Sequence, residues 1–440
     1  MEREILKQLS AWKTAFNRKP LLLYGARQVG KTHALNTFAK QAYKTHVYLN
    51  FENDPVLKQY FEGGLEPKEL LYKLSIHFNQ TIEPEHTLII FDEVQECPHA
   101  LNSLKYFHER ANEYHVCACG SLLGVKIGHK EGFPVGQVNF YHLYPLSFME
   151  FLDAIGERRL KEHLTSIQKI EPLPEPFHNK LNELLRIYYF TGGMPEAVLT
   201  YIQTRDFNAV RDVHHDILKS YDLDFAKHAT KTLSMKISEV WHAIPNQLAK
   251  ENKKFVYSLV RSSARAREYE EAIQWLDAAG LIHKIYNVSA PKMPLNAYAN
   301  WNNFKVYLLD VGLLNTLAGL PVQALLTGNQ LFQEFKGSLT ENFVFQTLAL
   351  DFDKQYYWTS QGTAEVDGVV QLENAILPLE IKANTSTKSK SLQSFVTKYQ
   401  PTLSLRASML NLRLDGNILN IPLYLLACLE QLANNAHETL

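Results

Sequence analysis

Apolar positions along the first 155 residues alternate between two periods. Residues 2 to 16 place Ile5, Leu6, Leu9, Trp12 and Phe16 at helical spacing, which predicts an amphipathic helix. The short apolar run Leu21-Leu-Leu predicts a buried strand, and Ala34 to Lys40 resumes as a helix. His46 to Phe51 is strand-like and leads to Glu52 and Asp54; Pro67 to Gln80 reads as a helix. A second apolar strand, Thr87 to Phe91, ends on Asp92 and Glu93, followed by a helix over His99 to Asn112 and a strand over Tyr114 to Ser121. Strands and helices in alternation predict a parallel sheet.

The later pattern differs. Residues 156 to 200 are rich in charges and helix formers, broken at Glu171 to Pro176. Phe255 to Ser263 and Tyr269 to Gly280 suggest two helices, with Gly280 ending the second and a strand running to Tyr286. Asn303 to Leu314 crosses from strand through turn to helix, and Gly337 to Leu348 reads as an amphipathic helix carrying Glu341. Strands follow at Tyr356 to Thr359, Ala364 to Val370 and Leu377 to Lys382. Glu380 and Lys382, two apart on a strand, share a face.

Chemistry enters first between Leu21 and Thr32. Gly25-x4-Gly30-Lys31-Thr32, between strand and helix, is a glycine-rich phosphate loop. Its glycines let successive N–H groups curl toward phosphate oxygens, with the helix N-terminus behind them. Gly25, Ala26, Arg27, Gln28, Val29, Gly30, Lys31, Thr32 and His33 are the expected nucleotide contacts, against the plainer reading of an ordinary strand–turn–helix. Lys31 is expected on the β- and γ-phosphates and the Thr32 hydroxyl on Mg²⁺. Asp92 would bind Mg²⁺ through water, and Glu93 would polarise the attacking water.

Gly25-Ala-Arg-Gln-Val-Gly-Lys-Thr32, Phe91-Asp-Glu-Val-Gln95, Gly120-Ser121 and Tyr144-Pro-Leu-Ser-Phe-Met-Glu-Phe151 together resemble a family of bacterial and archaeal AAA+-related P-loop ATPases. The resemblance implies a Walker A strand with the Walker B strand beside it. It makes Ser121 the candidate γ-phosphate sensor by position, with a cap or turn serine equally open. Many members carry a basic residue where this chain has Val135-Gly136-Gln137, and Gln137 cannot act as an arginine finger. Tyr188 to Ala197 resembles the family's helical lid, near Arg186, and the region around Phe255 to Tyr286 is similar to its winged helix. There Lys250, Lys253, Lys254, Arg261, Arg265 and Arg267 form the densest basic stretch. It reads as a nucleic-acid footprint or, equally, as a solvated or protein-docking surface.

The C-terminal strings resemble the PD-(D/E)-x-K, restriction-endonuclease-like class, which the family's tail domain shares. The resemblance implies that Asp367 and Glu380 bind Mg²⁺ or Mn²⁺, Glu341 supports the metal, and Lys382 orients the nucleophile. His214 and His215 show no metal-ligand spacing and read as structural or solvated.

Totals add limits. A chain of 440 residues expects two to four domains. A net charge of −1 advertises no polyanionic partner globally. Cys97, Cys117, Cys119 and Cys428 fit neither a disulfide framework nor a zinc site, and Cys117 and Cys119 share a strand face. No apolar run approaches the roughly 18 residues of a membrane span, and the first residues lack a signal-peptide core. The expectation is a cytoplasmic α/β protein: a P-loop NTPase parallel sheet at 1–155, helical lid at 156–225, winged-helix-like middle at 226–300, and smaller nuclease-like domain at 301–440. ATP and Mg²⁺ are its expected cofactors, Mn²⁺ an option at the C-terminal site, DNA and further copies of the chain its candidate partners, and no membrane. Expected function is a Mg²⁺-dependent ATPase controlling a metal-dependent nuclease-like domain. The alternative is a nucleotide-controlled switch or scaffold that binds DNA or protein without cutting. A small-molecule kinase is disfavoured, because Asp92-Glu93 supplies a water-activating carboxylate.

Overall fold

The computed structural model describes residues 1–121, 136–323, 330–360, 364–385 and 389–439; Val135 lies outside them. The chain divides into two units, Met1–Tyr144 with Ala278–Gly280 and Pro145–Asp277 with Leu281–Leu440.

The first unit is built on a five-stranded sheet of β1 (Leu21–Tyr24), β2 (Thr45–Asn50), β3 (Thr87–Asp92), β4 (His115–Cys119) and β5 (Asn139–His142). Its order is β2-β3-β4-β1-β5, all parallel. One sheet face buries Leu22, Val47, Leu49, Ile89, Phe91 and Val116 against Leu70 and Leu74 of the helix Pro67–His77 and Leu104 and Phe107 of the helix Pro98–Arg110. The expected adjacency of the Walker A and Walker B strands is corrected. Strand β4 lies between them, Cys117 pairing with Leu21 on one side and Ile90 on the other. Every residue of β4 is buried, and a strand covered on both faces belongs at the centre of a parallel sheet. The helix Ile5–Thr14 buries Ile5, Leu9 and Trp12, but Phe16 falls past its end and is fully exposed.

In the second unit the long helices Glu175–Thr191, Phe207–His228 and Lys231–Leu248 precede an eight-stranded sheet. Its strands are β6 (Ile282–Val288), β7 (Ala299–Leu308), β8 (Gln355–Thr359), β9 (Glu365–Gln371), β10 (Ile376–Ile381), β11 (Ser404–Ser408), β12 (Arg413–Asp415) and β13 (Ile418–Pro422). The order is β12-β13-β11-β10-β9-β8-β6-β7. Strand β6 pairs antiparallel with β7 and parallel with β8, so this one sheet crosses residue 300. The helix expected over Phe255 to Ser263 reduces to a single 3-10 turn at Tyr257–Leu259. Phe255 is buried and its N–H donates to the Phe304 carbonyl at 2.8 Å, which ties the segment to β7 instead of its own next turn.

The helix Gln330–Leu348 is buried all round from Ser338 onward, so the expected polar face is absent. Its polar groups are satisfied inside: Asn342 pairs with both the N–H and the carbonyl of Leu308. A second clamp joins the stretch that resembles the family's lid, Tyr188 to Ala197, to the turn within Asn303 to Leu314. Asp310 caps the helix Val311–Leu317 through the Leu313 N–H at 3.0 Å and accepts the Gly193 N–H at 2.6 Å. A Cβ on Gly192, whose φ is +64°, would meet Asp310 at 2.1 Å, so only glycine fits. His214 is buried between the Thr191 carbonyl and the Thr316 hydroxyl, while His215 is exposed. Among the described residues no helix is long and apolar enough to cross a membrane.

Candidate functional site

The loop after β1 turns sharply because Gly25, at φ +147°, passes against the Leu143 carbonyl; a Cβ there would lie 2.2 Å from its oxygen. Gly30, at φ +94°, then opens the helix Lys31–Ala42. Ala26 and Val29 are buried, Arg27 half-buried, and Gln28 and His33 exposed. Lys31 is buried, and its ammonium donates to the carbonyls of Gly25 at 2.9 Å and Ala26 at 2.7 Å. Burial pushes its pKa below the usual lysine value.

Asp92, the last residue of β3, receives a dense set of neutral donors. The hydroxyls of Thr32 (2.9 Å) and Tyr48 (2.5 Å) donate to Oδ2. The Glu93 N–H (2.9 Å) and the Cys119 thiol (3.0 Å) donate to Oδ1. Asn50 in turn donates to the Tyr48 oxygen at 3.2 Å. Glu93 sits at φ +49°, a left-handed conformation costly for a non-glycine residue, at the strand's exit. Its Oε2 accepts from the Gln95 amide and, at 3.5 Å, from the Ser121 hydroxyl.

Thr32, Asp92, Glu93 and Ser121 thus form one connected group beside Lys31. Sequence reasoning missed three of its supports. Arg3 donates to the Val29 carbonyl at 2.9 Å and the Tyr144 carbonyl at 2.7 Å, bracing the loop from before the first helix. A charged residue at a helix start reads as solvated, so Arg3 gave no signal. Tyr48 lies two residues before Asn50 on β2, where the period of two puts both on one face. Cys119 shares the buried face already noted with Cys117.

The second group of candidates lies around β9 and β10. These strands are antiparallel with Gly368 opposite Leu379, so one further step sets Asp367 opposite Glu380 on a shared face. Asp367 Oδ2 accepts the Ile381 N–H at 2.8 Å. Glu380 is 4% exposed; Oε1 meets the Lys382 ammonium at 2.5 Å, whereas Oε2 is buried with no hydrogen-bond partner among the described residues. Glu341 instead accepts from Lys253 at 2.5 Å and from the Tyr307 hydroxyl at 2.7 Å. Lys305, 1% exposed, contacts Glu365 at 2.5 Å.

Burial, then the charges of Glu341 and Glu380, push the Asp367 carboxyl up to about 7. Burial would lower Lys305, but Glu341, Glu365 and Asp367 hold it above its usual value. Glu341 would be raised by burial, yet Lys253 and Lys305 hold it below the usual range. Asp367 and Glu380 come together, while Glu341 is engaged by its own lysine. Among the described residues no three His, Cys, Asp or Glu side chains gather closely enough to hold a metal. Of the basic stretch, Lys250, Lys254, Arg261, Arg265 and Arg267 are exposed, and Lys253 alone turns inward. Arg186 is exposed.

Residues 182–324 match a domain of unknown function (DUF8612), and residues 336–426 match another (DUF4143). No curated protein matches the chain. Among solved structures it is similar to a Walker-type ATPase of Pyrococcus abyssi at 14% identity, covering 72% of this chain and 95% of that one, with a TM-score of 0.46. It is also similar to the Aeropyrum pernix ORC1 protein, solved in complex with DNA, at 14% identity, 74% and 92% coverage and a TM-score of 0.28. Cdc6p from Pyrobaculum aerophilum matches at 12% identity, 74% and 94% coverage and a TM-score of 0.27. Residues 17–152, which hold the phosphate loop, Asp92 and Glu93, match the AAA domain family, and this part of the chain is an AAA+-related P-loop ATPase domain.

Proposed function

We propose that the protein is a Mg²⁺-dependent ATPase whose nucleotide cycle controls a metal-dependent, nuclease-like C-terminal domain acting on DNA. The observation that carries the ATPase half is the joined set Thr32–Asp92 and Glu93–Ser121 at the mouth of the phosphate loop. A hydroxyl and a carboxylate 2.9 Å apart are a hard-oxygen donor set suited to Mg²⁺. When bound, Mg²⁺ would neutralise charge developing on the transferred phosphoryl group. Lys31 exchanges its two loop carbonyls for β- and γ-phosphate oxygens, and the loop N–H groups of Gly25 to His33 cradle the same anion. Glu93, carried past the strand on its strained backbone, accepts a hydrogen bond from the attacking water, and Ser121 reports the γ-phosphate to it. Lys31→Ala is expected to lower phosphate release by at least about 100-fold. Unchanged turnover would overturn the assignment.

The nuclease half rests on Asp367 and Glu380 opposed across β9 and β10, with one buried Glu380 oxygen unpartnered. Two like charges directly opposite are unfavourable unless neutralised, and a divalent cation does so. Lys382 then steadies phosphate charge, and the exposed lysines and arginines between 250 and 267 meet the DNA backbone. Nicking of plasmid DNA with Mg²⁺ or Mn²⁺, dependent on Asp367, tests this half. The switch without catalysis has one observation in its favour: lysines already engage Glu341, Glu365 and Glu380. ATP turnover with no nicking in any nucleotide state would decide for it.

A further inference from the structure

Two cations hold carbonyls of the phosphate loop, one at each end. Lys31 takes those of Gly25 and Ala26, at 2.9 and 2.7 Å. At the other end Arg3, 26 positions away in the chain, donates through Nη1 to the Val29 carbonyl at 2.9 Å. Its Nη2 donates to the Tyr144 carbonyl at 2.7 Å, so one guanidinium bridges the loop to the segment that follows β5. Arg3 is 8% exposed. A planar fork with fixed donors spans two carbonyls at once, which a single ammonium does not.

The segment after β5 is itself anchored on β1. The Leu143 N–H donates to the Tyr24 carbonyl at 2.8 Å, and Gly25 passes hard against the Leu143 carbonyl. Arg3 therefore ties Val29 to backbone already fixed. The consequence lies in the next peptide group, Val29–Gly30, which is trans. In a planar trans peptide the C=O and N–H point in opposite directions, so a carbonyl drawn toward Arg3 aims the Gly30 N–H away from it. Gly30, at φ +94°, stands just before the helix Lys31–Ala42. Glycine accepts either sense of φ, so without a clamp the peptide before it turns over at little steric cost.

We propose that Arg3 is a positioning residue for nucleotide binding: by holding the Val29 carbonyl it keeps the Gly30 N–H aimed at the phosphates. This rests on the reading of Gly25 to His33 as the ATP site. The two cations then divide the work. Lys31 leaves its carbonyls for phosphate oxygens, whereas Arg3 keeps hold of Val29 throughout. A hydrogen bond to phosphate that is present before and during the reaction contributes to binding uniformly, so its loss raises KM and spares kcat.

The test is equilibrium binding of Mg²⁺–ATP to the full chain, read by displacement of fluorescent N-methylanthraniloyl-ADP, alongside steady-state phosphate release. Arg3→Gln should raise Kd and KM for ATP about tenfold and change kcat less than about twofold. Inorganic tripolyphosphate, which carries no base, should lose the same factor; a loss confined to ATP would refute the proposal. Arg3→Lys, with the charge but not the fork, should fall between wild type and Arg3→Gln. An unchanged Kd in Arg3→Gln, with binding lost in Lys31→Ala, would overturn the clamp and leave the ATP site standing. Unchanged binding in both variants would overturn both. A second measurement needs no variant: phenylglyoxal modification of wild-type protein, followed by mass spectrometry. By linkage, nucleotide tightens the clamp in return. Saturating Mg²⁺–ADP should slow modification of Arg3 several-fold relative to Arg18, which is equally buried; no such difference would refute the proposal.

Discussion

Two buried lysines show how differently the two units handle charge. Lys31 in the phosphate loop donates to two backbone carbonyls, and burial pulls its pKa down more than the nearby Cys119, Glu93 and Asp92 raise it. Lys305 in β7 is as well buried, yet three carboxylates hold its pKa up. The contrast recurs at the aspartates. Asp92 is surrounded by neutral hydroxyl, thiol and amide donors, which fix both its oxygens. Asp367 is crowded by other carboxylates, whose charge lysines cancel in part. A carboxylate bonded to neutral donors has no ion pair to break; one set among lysines must first be released from them.

Removing each lysine breaks the comparison most strongly. Lys305→Met leaves Glu365 and Asp367 without their counter-charge and should cost about 3 kcal/mol by urea denaturation. Lys31→Met removes an ammonium that burial disfavours, so stability should stay within about 1 kcal/mol while ATP turnover is lost. The signs with pH agree. The raised Lys305 pKa gives stability present below the unfolded value and lost as pH rises through the folded one; the lowered Lys31 pKa does the reverse. Equal denaturation midpoints for both variants would mean that solvent, and not Lys305, compensates Glu365, which is 25% exposed.

Tyr48 sharpens the same contrast at smaller scale. Tyr48→Phe removes one hydroxyl from Asp92 Oδ2 and leaves the ring in place. We expect the Mg²⁺ concentration for half-maximal turnover to rise about tenfold, or about 1.4 kcal/mol, with the KM for ATP little changed. A uniform loss of kcat with unchanged metal dependence would reduce Tyr48 to packing.

How far the sequence could foresee these sites follows from the same physics. The phosphate loop and Asp92-Glu93 were legible because their chemistry is carried by adjacent residues at strand ends, and Thr32 and Asp92 do meet. Position within the sheet was not: the strand order that inserts β4 between β1 and β3 depends on burial of both faces of β4, which periodicity over five residues does not separate from one. At the C-terminal site, the Glu-x-Lys strand gave the Glu380–Lys382 pair directly. Lys253 and Lys305 were invisible as partners of Glu341 and Glu365, since each contact spans a long stretch of chain and a lysine in a basic run or on a strand reads as solvated. The clamp between Gly193 and Asp310 was hidden likewise, since its two residues lie 117 positions apart in the chain.

The smallest expected effect isolates Asp367. Its folded-state pKa, about 7, lies above the unfolded value near 3.9, so between these pH values the folded protein keeps a proton that the unfolded chain has lost. Stability from this group therefore falls as pH rises through that window, by at most about 1.4 kcal/mol per pH unit, and levels off above it. Glu341, shifted down, acts below its unfolded value and leaves the window clear. Asp310, raised to about 6, acts with the same sign as Asp367, and His214, lowered to about 3, with the opposite sign, so the measurement must be a difference. Wild type minus Asp367→Asn, by urea denaturation from pH 4.5 to 8, should slope downward and then flatten near 7. Saturating Mn²⁺ should flatten the whole curve if Asp367 binds it, because the cation then replaces the proton. A flat difference without metal would mean that Lys305 alone neutralises Asp367, making the C-terminal cluster a closed set of ion pairs, unlike Asp92, whose hydrogen-bond donors are neutral.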